Sequence, residues 1–123
     1  KKNLEIVGLT HLINEKAGNL STGQKKLLEL ARILMMNPKL ILLDEPAAGI
    51  NPTLINSLSK VILDINKKQR IDFVIIEHNM DFIMSLSDEI IVMAEGKTLF
   101  KGSPEEVRKN DKVLNSYLGY SEK

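Results

Sequence analysis

Three short apolar runs constrain this chain most: Leu40-Ile41-Leu42-Leu43, Phe73-Val74-Ile75-Ile76 and Ile90-Ile91-Val92-Met93. None alternates with polar residues. Such runs suit strands covered on both faces, as in a parallel sheet. Parallel neighbours need crossover connections, and helices usually supply them. Between the first two runs, Leu54, Ile55, Leu58, Val61, Ile62 and Ile65 recur at helical spacing, which predicts a helix from Pro52 to about Lys68. Asn51 can cap it, and Pro52 fits its first position. Ahead of the first run, Leu27, Leu28, Leu30, Ala31 and Leu34 predict a helix from about Gln24 to Met36. It opens at Ser21-Thr22-Gly23-Gln24, which has capping-box spacing, and stops at Asn37-Pro38, because the residue before proline disfavours helix. The expected class is α/β, with a mostly parallel sheet of at least three strands flanked by helices.

The flanks add smaller pieces. Leu4, Ile6 and Val7 before Gly8 read as the tail of a helix, and a second short helix is expected around Thr10 to Asn14. The chain starts inside an element, so the natural protein is expected to begin earlier. After Glu95-Gly96, Lys97 to Lys101 reads as the edge strand of a hairpin. Ser103-Pro104-Glu105-Glu106 opens another helix with its own capping box, and Val113 to Leu118 reads as a short final helix.

Composition narrows the classes. At 123 residues the chain suits one domain, and 43% hydrophobic with 27% charged residues is the range of a globular protein. The net charge of +1 argues against a nucleic-acid protein held by bulk electrostatics. The absence of cysteine excludes disulfides and thiolate metal sites. No apolar run approaches the roughly 20 residues needed to span a bilayer, and Lys1-Lys2-Asn3-Leu4-Glu5 leads into no signal-peptide core. An intracellular protein is expected, with any membrane association made through a partner.

The chemistry concentrates at strand ends. The run Leu40 to Leu43 closes on Asp44-Glu45-Pro46. Ligands of open parallel sheets bind beyond the carboxyl ends of strands, where both carboxylates would stand. Side chains alternate along a strand, so the two should diverge and take different tasks. One can hold Mg²⁺, which prefers one or two carboxylates plus phosphates, and the other can polarise a water. An isolated Asp-Glu-Pro can equally be a solvated strand exit. The second run ends in Glu77-His78-Asn79, so His78 is delivered to the same edge, where it could meet a phosphate or simply serve as a cap. The start of the helix at Gln24 is a prepared phosphate site, with unpaired N–H groups and a partial positive charge. Gly23 would let a phosphate approach closely. The plainer reading is that Ser21 and Gln24 only cap the helix.

Taken together, Leu20-Ser21-Thr22-Gly23-Gln24, Leu40 to Pro46, Ala47-Ala48-Gly49-Ile50-Asn51-Pro52 and His78 resemble the ATP-binding cassette (ABC) ATPases, in the family's order. The first block resembles the signature motif, the second the Walker B strand with its glutamate, the third the loop facing the opposite cassette, and His78 the switch histidine. The resemblance covers the whole chain, most weakly over residues 1–19. It implies a partial P-loop NTPase fold, with residues 1–37 ending a helical subdomain and its signature helix, and 38–123 running from Walker B to the C-terminus. It implies that Asp44 supports Mg²⁺, Glu45 polarises the attacking water and His78 contacts the γ-phosphate of ATP. It also implies that Ser21, Gly23 and Gln24 contact ATP bound to a second cassette, with Asn51 at the cassette–cassette contact. Two residues depart from the pattern: Thr22 stands where the family usually has glycine, and Asn51 where many members have aspartate.

The P-loop, G-x-x-x-x-G-K-[ST], is not in this sequence. Gly96-Lys97-Thr98 is a fragment of it, but Ile91 stands where the first glycine belongs, and the segment reads as a hairpin turn. The family's nucleotide-linking glutamine is missing too. By the resemblance these parts precede Lys1, and the fragment alone is expected to be inactive. The segments Ala47 to Pro52, Ile76 to Asp81 and Val113 to Gly119 resemble the ATPase subunits of branched-chain amino acid importers. Lipopolysaccharide-export ATPases are close relatives, and DNA-repair and ribosome-associated cassettes share the signature and Walker B motifs. The importer resemblance implies a second cassette and transmembrane permease subunits as partners, no nucleic acid, and a peripheral place on the cytoplasmic face of the inner membrane.

Overall fold

The computed structural model describes residues 1–118, with side chains through 116. Gly119, the last residue of the expected closing motif, lies outside them. The elements run α1 (Lys2–Ile6), two single 3-10 turns (Thr10–Leu12 and Ala17–Asn19), α2 (Thr22–Leu34), β1 (Leu40–Asp44), α3 (Pro52–Gln69), β2 (Asp72–Ile76), α4 (Met80–Leu86), β3 (Ile90–Ala94), β4 (Lys97–Gly102), α5 (Pro104–Lys109) and α6 (Asp111–Leu118). They group into two compact units, residues 1–82 and the described residues from 83 onward.

In the first unit the local sequence rules hold closely. Ser21 and Gln24 form the expected capping box at the start of α2. Asn51 caps α3 through its side chain, and Pro52 occupies the first turn. The helix ends at Arg70, which takes the left-handed conformation at φ 55°. Asn66 secures that end, its side-chain amide donating to the Ile71 carbonyl at 3.0 Å. The apolar stripe of α3 buries Leu58, Ile62 and Ile65, and that of α2 buries Leu30, Ala31 and Leu34. Ser59 is buried beside them, with its hydroxyl donating to the Ile55 carbonyl.

β1 and β2 pair in parallel, Leu40 opposite Asp72 through Asp44 opposite Ile76. This is one β-α-β unit, as the runs predicted. The strand count differs from expectation. Among the described residues the parallel sheet has two strands, and the third run, β3, pairs antiparallel with β4 in the second unit. The expectation of cover on both faces also fails. Burial alternates along β1 and β2. Ile41 is buried, whereas Leu42, Val74 and Ile76 remain 69%, 51% and 64% exposed. One crossover supplies one helix, and one helix can cover only one face of a two-stranded sheet.

In the second unit β3 and β4 join through Glu95-Gly96, both at positive φ (50° and 74°). That is the conformation a two-residue hairpin turn requires. Gly96 therefore belongs to a hairpin turn, as read from sequence, and Lys97 and Thr98 open β4. A bulge interrupts the ladder between Val92 and Met93. Ser103 and Glu106 close the second capping box, at the start of α5. Val107 and Val113 are buried.

Candidate functional site

The parallel pairing of β1 and β2 sets the site. Their carboxyl ends lie side by side, with Asp44 opposite Ile76. The ladder runs one residue further, because the Glu45 N–H donates to the Ile76 carbonyl at 2.9 Å. Glu45 itself has left the strand: its φ is +45°, a left-handed conformation uncommon for a side-chain-bearing residue. Strand alternation therefore governs Asp44 but not Glu45, whose direction is set by the turn. Asp44 is exposed and shares the open sheet face with Leu42.

The turn brings Glu45 to His78. The two side chains meet at 3.2 Å between Glu45 Oε1 and His78 Nδ1, and both remain accessible, at 53% and 73%. With Glu45 ionised, a ring protonated at Nδ1 donates to it. The remaining nitrogen, Nε2, is then an acceptor in the neutral ring and a donor only in the imidazolium. A phosphate contact made by Nε2 while Glu45 holds Nδ1 therefore calls for the doubly protonated ring.

Sequence reading missed the residue between them. The Glu77 side chain is 1% exposed. Its Oε1 accepts from the Ala47 N–H at 2.7 Å, and its Oε2 accepts from the His78 and Asn79 N–H groups at 3.1 and 3.2 Å. One carboxylate thus joins the turn after β1 to the turn after β2. The signal was present: an acidic residue just ahead of two backbone N–H groups entering a helix is placed to accept from both. Asn79 continues the pattern, accepting from the Phe82 N–H at 3.1 Å at the start of α4. Lys26 was also missed. It reaches from α2 to the Glu45 carbonyl at 3.4 Å.

The signature-like residues sit at the start of α2, as expected. Their polar groups serve the cap: the Gln24 N–H donates to Ser21 Oγ at 3.3 Å, and the Ser21 N–H donates to Gln24 Oε1 at 2.9 Å. Gly23 has a packing role that spacing did not reveal. It is buried, and a Cβ there would run into Leu54 Cδ1 and come within 3.1 Å of Leu54 Cγ. Leu54 stands in the first turn of α3, behind the Asn51 cap, where Asn51 Oδ1 accepts from its N–H at 2.9 Å. The glycine therefore lets the starts of α2 and α3 close on each other.

Among the described residues no group of three His, Asp or Glu side chains is arranged to hold a metal alone. Mg²⁺ held by one or two carboxylates and by phosphates needs no such group. Asp44, an exposed carboxylate at the end of β1, fits that mode.

Known proteins are similar to this chain in sequence and in fold. The family model described as "ABC transporter" matches residues 1–48. The high-affinity branched-chain amino acid transport ATP-binding protein BraF of Pseudomonas aeruginosa is 42% identical over 116 residues, covering 94% of this chain and 46% of that protein. A probable branched-chain amino acid transport ATP-binding protein, LivG, of Methanocaldococcus jannaschii is 43% identical over 122 residues, covering 96% of this chain and 47% of its own length. A crystal structure of an ATP-binding cassette of an ABC transporter in its ADP conformation superposes with a TM-score of 0.86 at 40% identity, covering 96% of this chain and 48% of the other. Over nearly its whole length the chain is similar to one part of an ATP-binding cassette. It spans about half the length of the curated relatives it matches. The ABC fold accounts for the β-α-β unit, and the edge carrying Asp44, Glu45 and His78 is its strand-end edge. Among the described residues no helix is long and apolar enough to cross a membrane.

Proposed function

We propose that this chain is the Walker B and signature half of an ATP-binding subunit that hydrolyses ATP between two cassettes to drive uptake of branched-chain amino acids. The observation that carries the reading is the 3.2 Å contact of Glu45 with His78 at the shared end of two parallel strands. Phosphoryl transfer asks mainly for positioning and charge stabilisation. Asp44 would hold the Mg²⁺ that, when bound, neutralises phosphate charge. Glu45 orients the attacking water and draws on its proton. His78, held at Nδ1 by Glu45, presents Nε2 to the terminal phosphate. Ser21 and Gln24 face the nucleotide of a second cassette, with Gly23 buried against Leu54 beneath them, and Asn51 lies at that contact. The relatives' names support the cargo, and their length supports an upstream half that brings the P-loop. Permease subunits would hold the assembly at the cytoplasmic face of the inner membrane. The 123 residues alone are then expected neither to bind ATP tightly nor to hydrolyse it.

The test uses the full-length protein. Glu45→Gln should keep ATP binding, read by nucleotide titration, while hydrolysis falls by about 10²–10⁴-fold, the usual contribution of a general base. Turnover near wild type would overturn the assignment. Reconstituted with its permease, the protein should drive ATP-dependent leucine uptake, and its failure to do so would remove the cargo assignment alone.

A further inference from the structure

Glu77 stands out among all the carboxylates described here. Its side chain is almost completely buried, and it accepts three backbone N–H bonds, from Ala47, His78 and Asn79. The first belongs to the turn that carries Glu45, and the others belong to the turn that carries His78. A buried charge is costly unless hydrogen bonds compensate it, and three charge-assisted bonds do so here. Glu45 adds a further constraint, since its left-handed backbone must be held by its surroundings. Around it the Glu45 N–H is fixed to Ile76, the Glu45 carbonyl accepts from the Ala48 N–H at 3.1 Å, and the next residue but one is fixed to Glu77.

We propose that Glu77 is a positioning residue: its buried carboxylate locks the Glu45 turn to the His78 turn and so sets the 3.2 Å Glu45–His78 geometry. Glu77 touches no reacting atom on this reading. It acts through the backbone on the two side chains that do, its Oε2 also lies 4.0 Å from His78 Nδ1, and the same clamp ties the segment Ala47 to Asn51, which on that reading faces the second cassette, to the histidine turn. The inference rests on the ATP-hydrolysing reading above.

Two substitutions separate the arms of the clamp. Glu77→Asp keeps the charge and can still accept from the N–H groups just after it, as a short acidic side chain does in an Asx turn. It is one methylene shorter and loses Ala47. Glu77→Gln keeps the length but turns one oxygen into a donor facing donors. In the full-length protein, Glu77→Asp should lower kcat by about tenfold or more, since small misplacements of reacting groups cost on that order. The KM for ATP should stay within about twofold, because the contacts that bind nucleotide are untouched. Hydrogen exchange should speed up at Ala47 and remain slow at Asn79 in Glu77→Asp, and speed up at one or both arms in Glu77→Gln. A purely structural role would instead reduce kcat only in proportion to the unfolded fraction. Turnover within twofold of wild type in Glu77→Asp, with Ala47 exchanging fast, would overturn the proposal, and so would unchanged exchange at Ala47. If Glu77→Gln does not fold, Glu77→Asp alone decides. A wild-type protein without ATPase activity would defeat the functional reading, while the exchange measurement would still report on the clamp.

Discussion

The open face of the β1–β2 sheet provides the sharpest test of the proposed upstream half. Ile41 and Leu42 are adjacent in one strand and lie on opposite faces, so backbone effects on the two are nearly matched. Ile41 is 2% exposed and Leu42 69% exposed. Truncating a fully buried isoleucine or leucine to alanine costs about 2–5 kcal/mol. Complete burial of such a side chain is worth about 1.5–3 kcal/mol. Leu42 has only roughly a third of its surface covered by these residues, so on their packing alone Leu42→Ala would cost below about 1 kcal/mol. In the full-length protein, upstream helices should cover this face, with Val74 and Ile76 beside Leu42. There Leu42→Ala is expected to cost about as much as Ile41→Ala, both in the range of about 2–5 kcal/mol. Urea denaturation of the two variants and wild type, with m-values compared to confirm the same transition, gives the answer. A Leu42→Ala cost below about 1 kcal/mol beside a large Ile41→Ala cost would refute the reasoning, for the face would then be open in the whole protein as well.

Other outcomes are as specific. Gly23→Ala should be coupled to Leu54, which must give way to the added Cβ and so offsets part of the helix-propensity gain of up to about 1 kcal/mol. In a Leu54→Ala background the same change should become more favourable, and equal effects in both backgrounds by urea denaturation would sink this account. The two capping boxes should differ in acid. Hydrogen bonds from the Ser103 backbone N–H and then its hydroxyl hold the Glu106 carboxyl below the ordinary carboxylate range. A carboxyl depressed by folding contributes stability that is present above its unfolded pKa and is lost as pH falls through its folded value. Glu106→Gln should therefore flatten the loss of stability on acidification at the α5 end. Gln24→Glu should introduce such a dependence at α2, where the native box has no titrating member. Stability profiles against pH that do not change on either substitution would contradict this. Finally, Ser21→Ala should lower stability by about 1 kcal/mol through the lost cap. On the functional reading it should also slow turnover beyond that loss, measured in mixed dimers with one altered cassette. A turnover loss no larger than the folding loss would leave Ser21 a cap only.

The local sequence determined the elements of this chain and the order of its chemistry. Ser21, Asn51, Ser103 and Pro52 mark helix starts because short polar side chains accept from orphan N–H groups and proline has no N–H to lose. Glu95-Gly96 marks the hairpin because its turn needs two residues at positive φ. Asp44, Glu45 and His78 could be placed at one edge from the two strand exits alone, since parallel strands share their carboxyl ends. Pairing and cover were not legible. An apolar run carries no record of which strand lies beside it or of which face is covered. β3 therefore read as a third parallel strand, and the open face holding Leu42 and Ile76 read as buried. Backbone bonds made across the fold were equally hidden. Only the folded chain shows that Glu45 turns left-handed out of its strand, that Gly23 yields to Leu54, and that Glu77 holds Ala47, thirty residues back, beside His78. Contacts within a turn of chain follow from neighbouring residues, whereas contacts across tens of residues exist only once the strands have paired.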